Sequence, residues 1–327
     1  MRDRAARMRT GLYAKPQSPA PEMDLRIHAT LDHLRSLEGP ARRLSFLPRQ
    51  PVRSVLSGRH ASRLRGRGLN FEELRDYLPG DDIRSIDWKV TARTGTPHVR
   101  VYTEERDRPT LVVVDQRMSM YFGSRLNMKS VTAAEAAALI AFRILAQDDR
   151  IGGIVFGDEY MAEIRPERRR GSLNRFLTAL VDANSLLSAD APNVQPIALS
   201  QVLRAVARLA PRNHLVVLLS DFVETDEDTH RLISGIARRN DLVLGLITDP
   251  FAHDIPTGLK VVVSDGELQA EVDTGDQVQH RDLRKMAEGR LAEILDWQRT
   301  IGVPVLPVSA GEETLPQIRR LMGVRPV

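Results

Sequence analysis

The sequence predicts an α/β fold built on a doubly wound, mostly parallel sheet in a three-layer arrangement. Short apolar runs are typical of buried strands, and two of them, Arg108 to Asp115 and His214 to Asp221, end in an acidic residue. Stretches of helical length, either alanine-rich or amphipathic, separate the runs. This alternation favours parallel strands joined by right-handed crossovers, with helices covering both faces of the sheet.

The elements that follow the first strand continue the alternation. Their predicted bounds are Lys129 to Gln147 (helix), Arg150 to Phe156 (strand), Tyr160 to Arg165 (edge strand), Ser172 to Leu186 and Leu199 to Leu209 (helices), Thr229 to Arg239 (helix) and Asp241 to Thr248 (strand). A hairpin is predicted next, because Asp265-Gly266 is a strong turn signal between Leu259 to Ser264 and Glu267 to Val272. The last predicted elements are a helix, a strand and a closing helix, at Asp282 to Thr300, Val303 to Val308 and Thr314 to Met322.

The N-terminal part of the chain differs from the rest in charge. Residues 1–70 contain fifteen Lys and Arg against five Asp and Glu, a net charge of +10, so that the remainder carries −6 within the total of +4. Residues 1–22 are predicted to be a disordered basic tail, because they lack the apolar core of a secretory signal. An N-terminal helix near Met23 to Glu38 and a charged region complete a predicted segment 23–107, and the α/β domain is predicted over 108–327.

Composition excludes several classes of function. The chain has no cysteine, which rules out disulfides, thiolate metal sites and thiol nucleophiles. No apolar run reaches membrane-spanning length, and we expect a cytoplasmic protein. The histidines show no metal-ligand spacing, and neither a phosphate-binding loop nor a nucleophile elbow is present, so the sequence does not predict an enzyme.

The segment Gly66 to Gly95, GRGLNFEELRDYLPGDDIRSIDWKVTARTG, is dense in charges, turn formers and aromatic residues, and neither helical nor strand periodicity accounts for it. Two interpretations stay open. As a scaffold, Pro79-Gly80 makes a turn, an aspartate caps a short helix and an aromatic side chain packs into the core. As an interaction surface, the segment presents charged and aromatic side chains of the kind found at binding hot spots. The partner-binding candidates are Arg75, Asp81, Asp82, Arg84, Asp87, Trp88 and Arg93.

Asp115 and Asp221 form the main chemical signal in the predicted sheet. Both follow buried strands, and sites in doubly wound sheets form beyond the carboxyl ends of the strands. We therefore expect the two carboxylates to converge at that edge.

The same residues carry a resemblance to a known family. The Gly66 to Gly95 segment, followed by VYTEE, VVVDQRMSM, DRIGGIVF and LLSDF, resembles the bacterial family called domain of unknown function 58 (DUF58), which contains a von Willebrand factor A-like (vWA-like) domain. The resemblance implies a vWA-like, Rossmann-type fold. It also implies a non-catalytic adaptor that works with a MoxR-type AAA+ ATPase in protein assembly, activation or remodelling.

The resemblance further implies a site related to the metal-ion-dependent adhesion site, whose motif is Asp-x-Ser-x-Ser completed by a Thr and a second Asp. Here Asp115, Ser119 and Asp221 match that pattern, Arg117 replaces the first Ser, and Ile197 stands near the Thr position. Our hypothesis is that the Arg117 guanidinium takes the place of the cation and pairs with both acids. An exposed Arg117 and residual binding of Mg²⁺ or Mn²⁺ are the alternatives, and neither a metal nor another cofactor is expected.

Two other functions are open from the sequence. The basic arm could bind nucleic acid, although Tyr13 and Phe46 are the only aromatic residues there that could stack on bases. Asp115 and Asp221 could instead serve a metal-dependent hydrolase.

Overall fold

Two short helices and a small antiparallel sheet precede the main body. The computed structural model describes residues 24–44, 59–62, 69–78, 81–105, 108–191, 194–223, 225–252, 260–264, 269–273, 289 and 291–321. The predicted tail of residues 1–22, the turn at Asp265-Gly266 and the beginning of the predicted helix at Asp282 lie outside these ranges.

The N-terminal helix is shorter than predicted and is divided in two. Helix α1 covers Leu31–Ser36 and α2 covers Glu38–Arg42. The hydroxyl of Thr30 accepts a hydrogen bond from the backbone N–H of His33, so α1 begins at this cap and not at Met23. Both helices contact a long helix of the main body, α4 (Lys129–Ala146), and Leu34 lies fully buried in the same core.

The segment Gly66 to Gly95, which we call the signature segment, contributes a strand and a helix although its mixed pattern predicts neither. Strands β1 (Arg59–Ser62), β2 (Leu69–Asp76) and β3 (His98–Glu105) form an antiparallel sheet in the order β1-β3-β2. The register of β2 against β3 shifts between Phe71 and Glu73, and this irregularity breaks the strand alternation. Helix α3 (Trp88–Thr94) lies between β2 and β3 in the chain. It ends at Gly95, which adopts the left-handed conformation with φ of 78°.

A six-stranded sheet forms the centre of the main body. Its strands are β4 (Thr110–Asp115), β5 (Ile151–Phe156), β6 (Met161–Glu167), β7 (Leu215–Ser220), β8 (Asp241–Thr248) and β11 (Val305–Ser309). They lie in the order β11-β8-β7-β4-β5-β6. All neighbours are parallel except the edge strand β6, which runs antiparallel to β5. Between β8 and β11 in the chain, β9 (Lys260–Ser264) and β10 (Gln269–Asp273) pair as the predicted antiparallel hairpin.

Helices cover both faces of this sheet and complete three layers. The remaining helices are α5 (Arg170–Ser185), α6 (Leu199–Leu209), α7 (Glu227–Ala237), α8 (291–300) and α9 (Thr314–Leu321). Alternate residues of β4 enter two separate cores: Val112 and Val114 pack with α4 and α5, whereas Leu111 and Val113 pack with α6 and α7. The fold is therefore the predicted α/β, doubly wound, mostly parallel sheet of the vWA-like three-layer type.

Glycine allows one helix to lie unusually close to the sheet. A Cβ added at Gly153 in β5 would stand only 2.2 Å from the Phe176 ring of α5. The missing side chain lets that ring pack directly on the strand, which brings α5 onto the sheet next to the loop that follows β4.

Candidate functional site

The predicted pair of acids lies at the carboxyl edge of the central sheet. Strands β4 and β7 are parallel neighbours, Asp115 is the last residue of β4, and Asp221 directly follows β7. Asp115 is completely buried and Asp221 is 6% exposed. Burial of two carboxylates is costly unless charge and hydrogen bonds compensate for the lost water, so the surroundings of each one define the site.

Asp115 is compensated mainly by Arg117. The guanidinium Nε lies 3.1 Å from Oδ1 and Nη2 lies 2.8 Å from Oδ2, and the Arg117 backbone N–H also donates to Oδ1 at 3.0 Å. The side chain of Arg117 is only 3% exposed, and its guanidinium lies 5.5 Å from the centre of the Phe156 ring. The Arg117 guanidinium is thus inside the site, as the substitution hypothesis requires, and its fork geometry suits a carboxylate.

Asp221 is held by a residue that the sequence analysis did not single out. Lys129 Nζ lies 2.7 Å from Asp221 Oδ2, with side-chain exposures of 13% and 5%. The Val223 backbone N–H donates to Oδ1 at 3.1 Å, and the Ser119 hydroxyl donates to the same atom at 3.4 Å. The hypothesis that Arg117 pairs with both acids is therefore incomplete, because Lys129 supplies a second buried cation at Asp221.

The surroundings of Asp221 lower the pKa of its carboxyl group. Burial acts to raise the pKa of the carboxyl, but the charge and hydrogen bond of Lys129, together with the charge of Arg117, outweigh burial and hold the pKa below its ordinary value. Nearby Asp158 behaves in the opposite way, because burial raises its pKa although the Met118 backbone N–H donates to it. Asp221 is consequently ionised at neutral pH and forms a true ion pair with Lys129.

The backbone after β7 is shaped around the same site. The Ser220 hydroxyl donates to Asp115 Oδ2 at 2.7 Å and accepts from the Phe222 backbone N–H at 3.0 Å. Phe222 adopts a φ of 54°, an uncommon conformation for a residue with a large side chain, and is fully buried edge-on to Trp297. The strained turn and the buried ring fix Asp221 beside Lys129.

These residues do not fit the metal that the vWA-like fold implies. Mg²⁺ and Mn²⁺ need several oxygen ligands free to approach the ion. Here both carboxylates are committed to buried cations, and Ile197 contributes only its main-chain carbonyl, 3.5 Å from Arg117 Nη1. Among the described residues, no cluster of three or more His, Cys, Asp or Glu side chains could hold a metal ion.

In the signature segment, the acids among the partner-binding candidates serve the local scaffold. Arg75 forms a two-pronged ion pair with Asp81 at 2.7 and 2.8 Å. Asp82 accepts from the Arg84 backbone N–H at 2.9 Å, and Asp87 caps α3 by accepting from two backbone N–H groups. The scaffold interpretation thus describes the acids well.

The candidates Arg84, Trp88 and Arg93 are exposed, as are several apolar and basic side chains near them, whereas Arg75 is half-buried. Trp88 is 65% exposed, Ile83 61% and Leu78 58%, so the expectation that an aromatic residue of this segment, Trp88, packs into the core is wrong. Helix α3 is too short and too polar to bury Trp88, its first residue. Of the residues next to Trp88 in this turn, only Asp87 is buried. Arg84, Lys89 and Arg93 are also exposed. We call Leu78, Ile83, Arg84, Trp88, Lys89 and Arg93 the docking surface.

Comparisons with known proteins found similar sequences and a solved structure. Uncharacterized proteins of Mycobacterium tuberculosis and Mycobacterium bovis are each 28% identical over 293 residues, covering 88% of this chain and 90% of the relative. A solved structure titled as an aerotolerance-related membrane protein from Bacteroides fragilis, with multiple mutations to serines, is 12% identical with a TM-score of 0.36. The match covers 66% of this chain and 98% of the Bacteroides fragilis chain.

In the part of this chain that the structure describes, no helix combines the length and apolar character needed to cross a membrane. Residues 73–292 match the family model described as "Protein of unknown function DUF58". This match covers more than half of the chain and includes both the candidate site and the docking surface. The chain belongs to the DUF58 family.

Proposed function

We propose that this protein is a non-catalytic adaptor whose docking surface binds a partner protein, and that the partner is a cytoplasmic MoxR-type AAA+ ATPase. The observation that carries the proposal is the exposure of Trp88 and Ile83 among basic side chains whose neighbouring acids are engaged within the chain. Tryptophan and arginine dominate binding hot spots, because they bury a large area and make directional contacts.

The charge of the docking surface indicates the chemistry of the partner. Arg84, Lys89 and Arg93 project into solvent, whereas Asp81 and Asp87 are occupied by Arg75 and by the start of α3. The exposed side chains of the docking surface combine apolar and basic character within one short stretch of chain. They complement an acidic protein surface with an apolar pocket for Trp88.

The candidate site supports an adaptor more than an enzyme. Arg117 and Lys129 neutralise both buried carboxylates, and neither carboxylate is free to act as a base or nucleophile. Such a closed set of ion pairs fixes the carboxyl edge of the sheet as a rigid support. The ATPase would then provide the energy, and this chain would couple it to a client protein.

Affinity purification of the full chain from its native cell, with and without ATP, tests the proposal. We expect an AAA+ ATPase to be recovered with the wild type and lost with Trp88→Ala. Loss of a hot-spot side chain costs about 2 kcal/mol or more, which corresponds to roughly a 30-fold weaker complex. Urea unfolding should show unchanged stability, because Trp88 lies outside the core.

Leu186→Ala is the matched control, since Leu186 is 66% exposed and lies at the end of α5, outside the docking surface. It should retain the ATPase. Equal recovery with Trp88→Ala and wild type would overturn the assigned surface, and recovery of nucleic acid in place of an ATPase would favour the basic-arm alternative.

A further inference from the structure

A cavity lined by arginine side chains lies away from both the candidate site and the docking surface. Its volume is about 240 Å³, and it opens between α2, the C-terminal end of α4 and the beginning of α5. Arg42, Arg168 and Arg170 supply three guanidinium groups, and Glu38 supplies the single carboxylate among the described lining residues. The lining therefore carries a net charge of +2.

Two of the arginines share the carboxylate of Glu38. Arg42 Nη2 lies 2.7 Å from Glu38 Oε1, and Arg170 Nη2 donates to Oε2. The side chains of Arg42 and Arg170 are 61% and 60% exposed, so their remaining N–H groups are accessible from solvent. One carboxylate cannot use the five donors of each of two guanidinium groups.

The helix that carries Arg42, α2, packs against α4. Arg143, on α4, donates to the main-chain carbonyl of Arg42 at 3.4 Å, and Phe142 forms part of an apolar floor under the charged rim. Arg168 and Arg170 are joined through Arg169 in one short stretch of chain, which brings their charges to the same opening. Arginines from separate elements are in this way directed at one small volume.

We propose that this cavity binds a phosphate group, with Arg42, Arg168 and Arg170 as its ligands. The phosphate then competes with the Glu38 carboxylate for the arginine N–H groups. Guanidinium groups match phosphate oxygens in pairs of parallel hydrogen bonds, and a lining rich in arginine favours an anion. The apolar floor suits a phosphate attached to an organic group. The source is either a soluble phosphate compound or a lipid headgroup.

Titration calorimetry of the full chain with pyrophosphate, at constant ionic strength, tests the site. We expect saturable binding that weakens about tenfold in Arg42→Ala and in Arg170→Ala, the loss of one charge-assisted contact in each case. Glu38→Gln should bind more tightly, because it removes the competing carboxylate. Flotation with phosphatidylcholine vesicles, with and without phosphatidic acid, separates the two sources. Binding to pyrophosphate or to phosphatidic acid supports the site and identifies its ligand when Arg170→Ala weakens it and Arg169→Ala does not.

Arg169→Ala is the matched control, because it removes the same charge from the same stretch of chain at a residue that does not line the cavity. It should leave the affinity within about twofold, since it changes only the long-range field. Equal weakening by Arg169→Ala and Arg170→Ala would overturn the site, as would the absence of saturable binding to both probes. Thermal unfolding of each variant verifies that the fold is retained.

Discussion

Lys129 places a positive charge at the N-terminus of α4, where the helix dipole disfavours a cation. It is the first residue of α4, and its first turn contains no acid and no side-chain cap. A cation at a helix N-terminus opposes the helix dipole, so a compensating anion is needed nearby. Asp221 is that anion. A lysine at the start of an uncapped, alanine-rich helix was thus the sequence signal that could have identified the second cation.

Removal of Lys129 should destabilise the protein strongly. Lys129→Met leaves Asp221 buried next to an uncharged side chain, and an unpaired buried charge costs roughly 3–5 kcal/mol. Urea unfolding at neutral pH measures this loss. Lys89→Met is the control, because Lys89 is exposed on the docking surface, and it should change stability by less than about 0.5 kcal/mol.

The same variant should reverse the dependence of stability on pH. In the wild type the pKa of Asp221 is depressed below 3.8, so its stabilising contribution is present above that value and is lost as the pH falls through the folded-state pKa. Without Lys129, burial is expected to raise the pKa, and stability should instead fall as the pH rises from about 4 to 7. An unchanged pH profile would show that Lys129 does not control Asp221.

Two substitutions together should convert the site toward metal binding. The wild type should show no saturable thermal stabilisation by Mg²⁺ or Mn²⁺, because Arg117 and Lys129 occupy the carboxylates. Arg117→Ser leaves Lys129 on Asp221 and should gain little, whereas Arg117→Ser combined with Lys129→Ser frees both acids for hard-cation binding. Saturable stabilisation of the wild type that Asp115→Ala abolishes would contradict the role of the two cations.

At the scale of elements, a buried acid joins the two ends of the described chain to the long central helix. Glu135 of α4 lies 2.6 Å from His33 Nε2 of α1 and accepts a hydrogen bond from the Thr314 hydroxyl at the start of α9. The hydrogen bond to Glu135 raises the pKa of His33 above 6.5, although burial opposes the shift. Protonation of His33 therefore strengthens the contact between α1 and α4.

This junction should weaken at alkaline pH. A raised His33 pKa means that its contribution to stability is fully present below pH 6.5 and is lost as the pH rises through the folded-state pKa. Urea midpoints measured from about pH 6 to pH 9 should decline in the wild type and decline less in His33→Gln, which cannot become charged. An identical slope in both proteins would remove His33 from the explanation.

A second buried network connects the N-terminal segment to the loop that carries Arg117. Asn184 donates to the Gln116 side chain at 2.9 Å and accepts from the Ala29 backbone N–H at 2.7 Å. The Met128 backbone N–H, directly before Lys129, donates to the carbonyl of Arg26 at 2.8 Å. Residues 24–29 are thus bonded to both sides of the candidate site, and buried bonds of this kind specify one arrangement of the chain.

For the whole molecule, the central question is how the N-terminal segment relates to the α/β body. The sequence predicts an N-terminal helix and charged region over 23–107 ahead of an α/β domain over 108–327. In the structure, α1 and α2 pack on α4, and Leu34 and Leu44 lie in the same buried cluster as Val112 of β4. Residues 24–44 are accordingly part of the main core.

Leu34→Ala should therefore destabilise the whole body. Deletion of a fully buried leucine costs about 2–5 kcal/mol, and the loss should appear in the main cooperative transition of urea unfolding, which the intrinsic fluorescence of Trp297 on α8 reports. Leu25→Ala is the control, because Leu25 is 43% exposed, and it should change the midpoint little. A separate early transition in Leu34→Ala, with the main transition unchanged, would mean that α1 belongs to an independent unit.

Sequence pattern alone was sufficient for the sheet and for the position of Asp115 and Asp221. Fully apolar runs such as LVVV are compatible with few environments other than a strand buried on both faces, and parallel order places their final acids at one edge. The bounds of the helix over Leu199 to Leu209 and of the strand over Asp241 to Thr248 agree with the prediction to the residue. The helix has an uninterrupted amphipathic pattern, and the strand is an uninterrupted apolar run. Such local patterns are sufficient where burial is complete and regular.

Tertiary contacts set which cation compensates each acid and which signature residues reach solvent. Lys129 lies 92 residues from Asp221, and no local pattern encodes a contact across that distance. Trp88 is exposed at the first position of the short, capped helix α3, although aromatic character alone favours burial. Local sequence patterns thus predict the fold and the sheet edge, whereas charge compensation and exposure follow from long-range packing, because they depend on elements that meet only after folding.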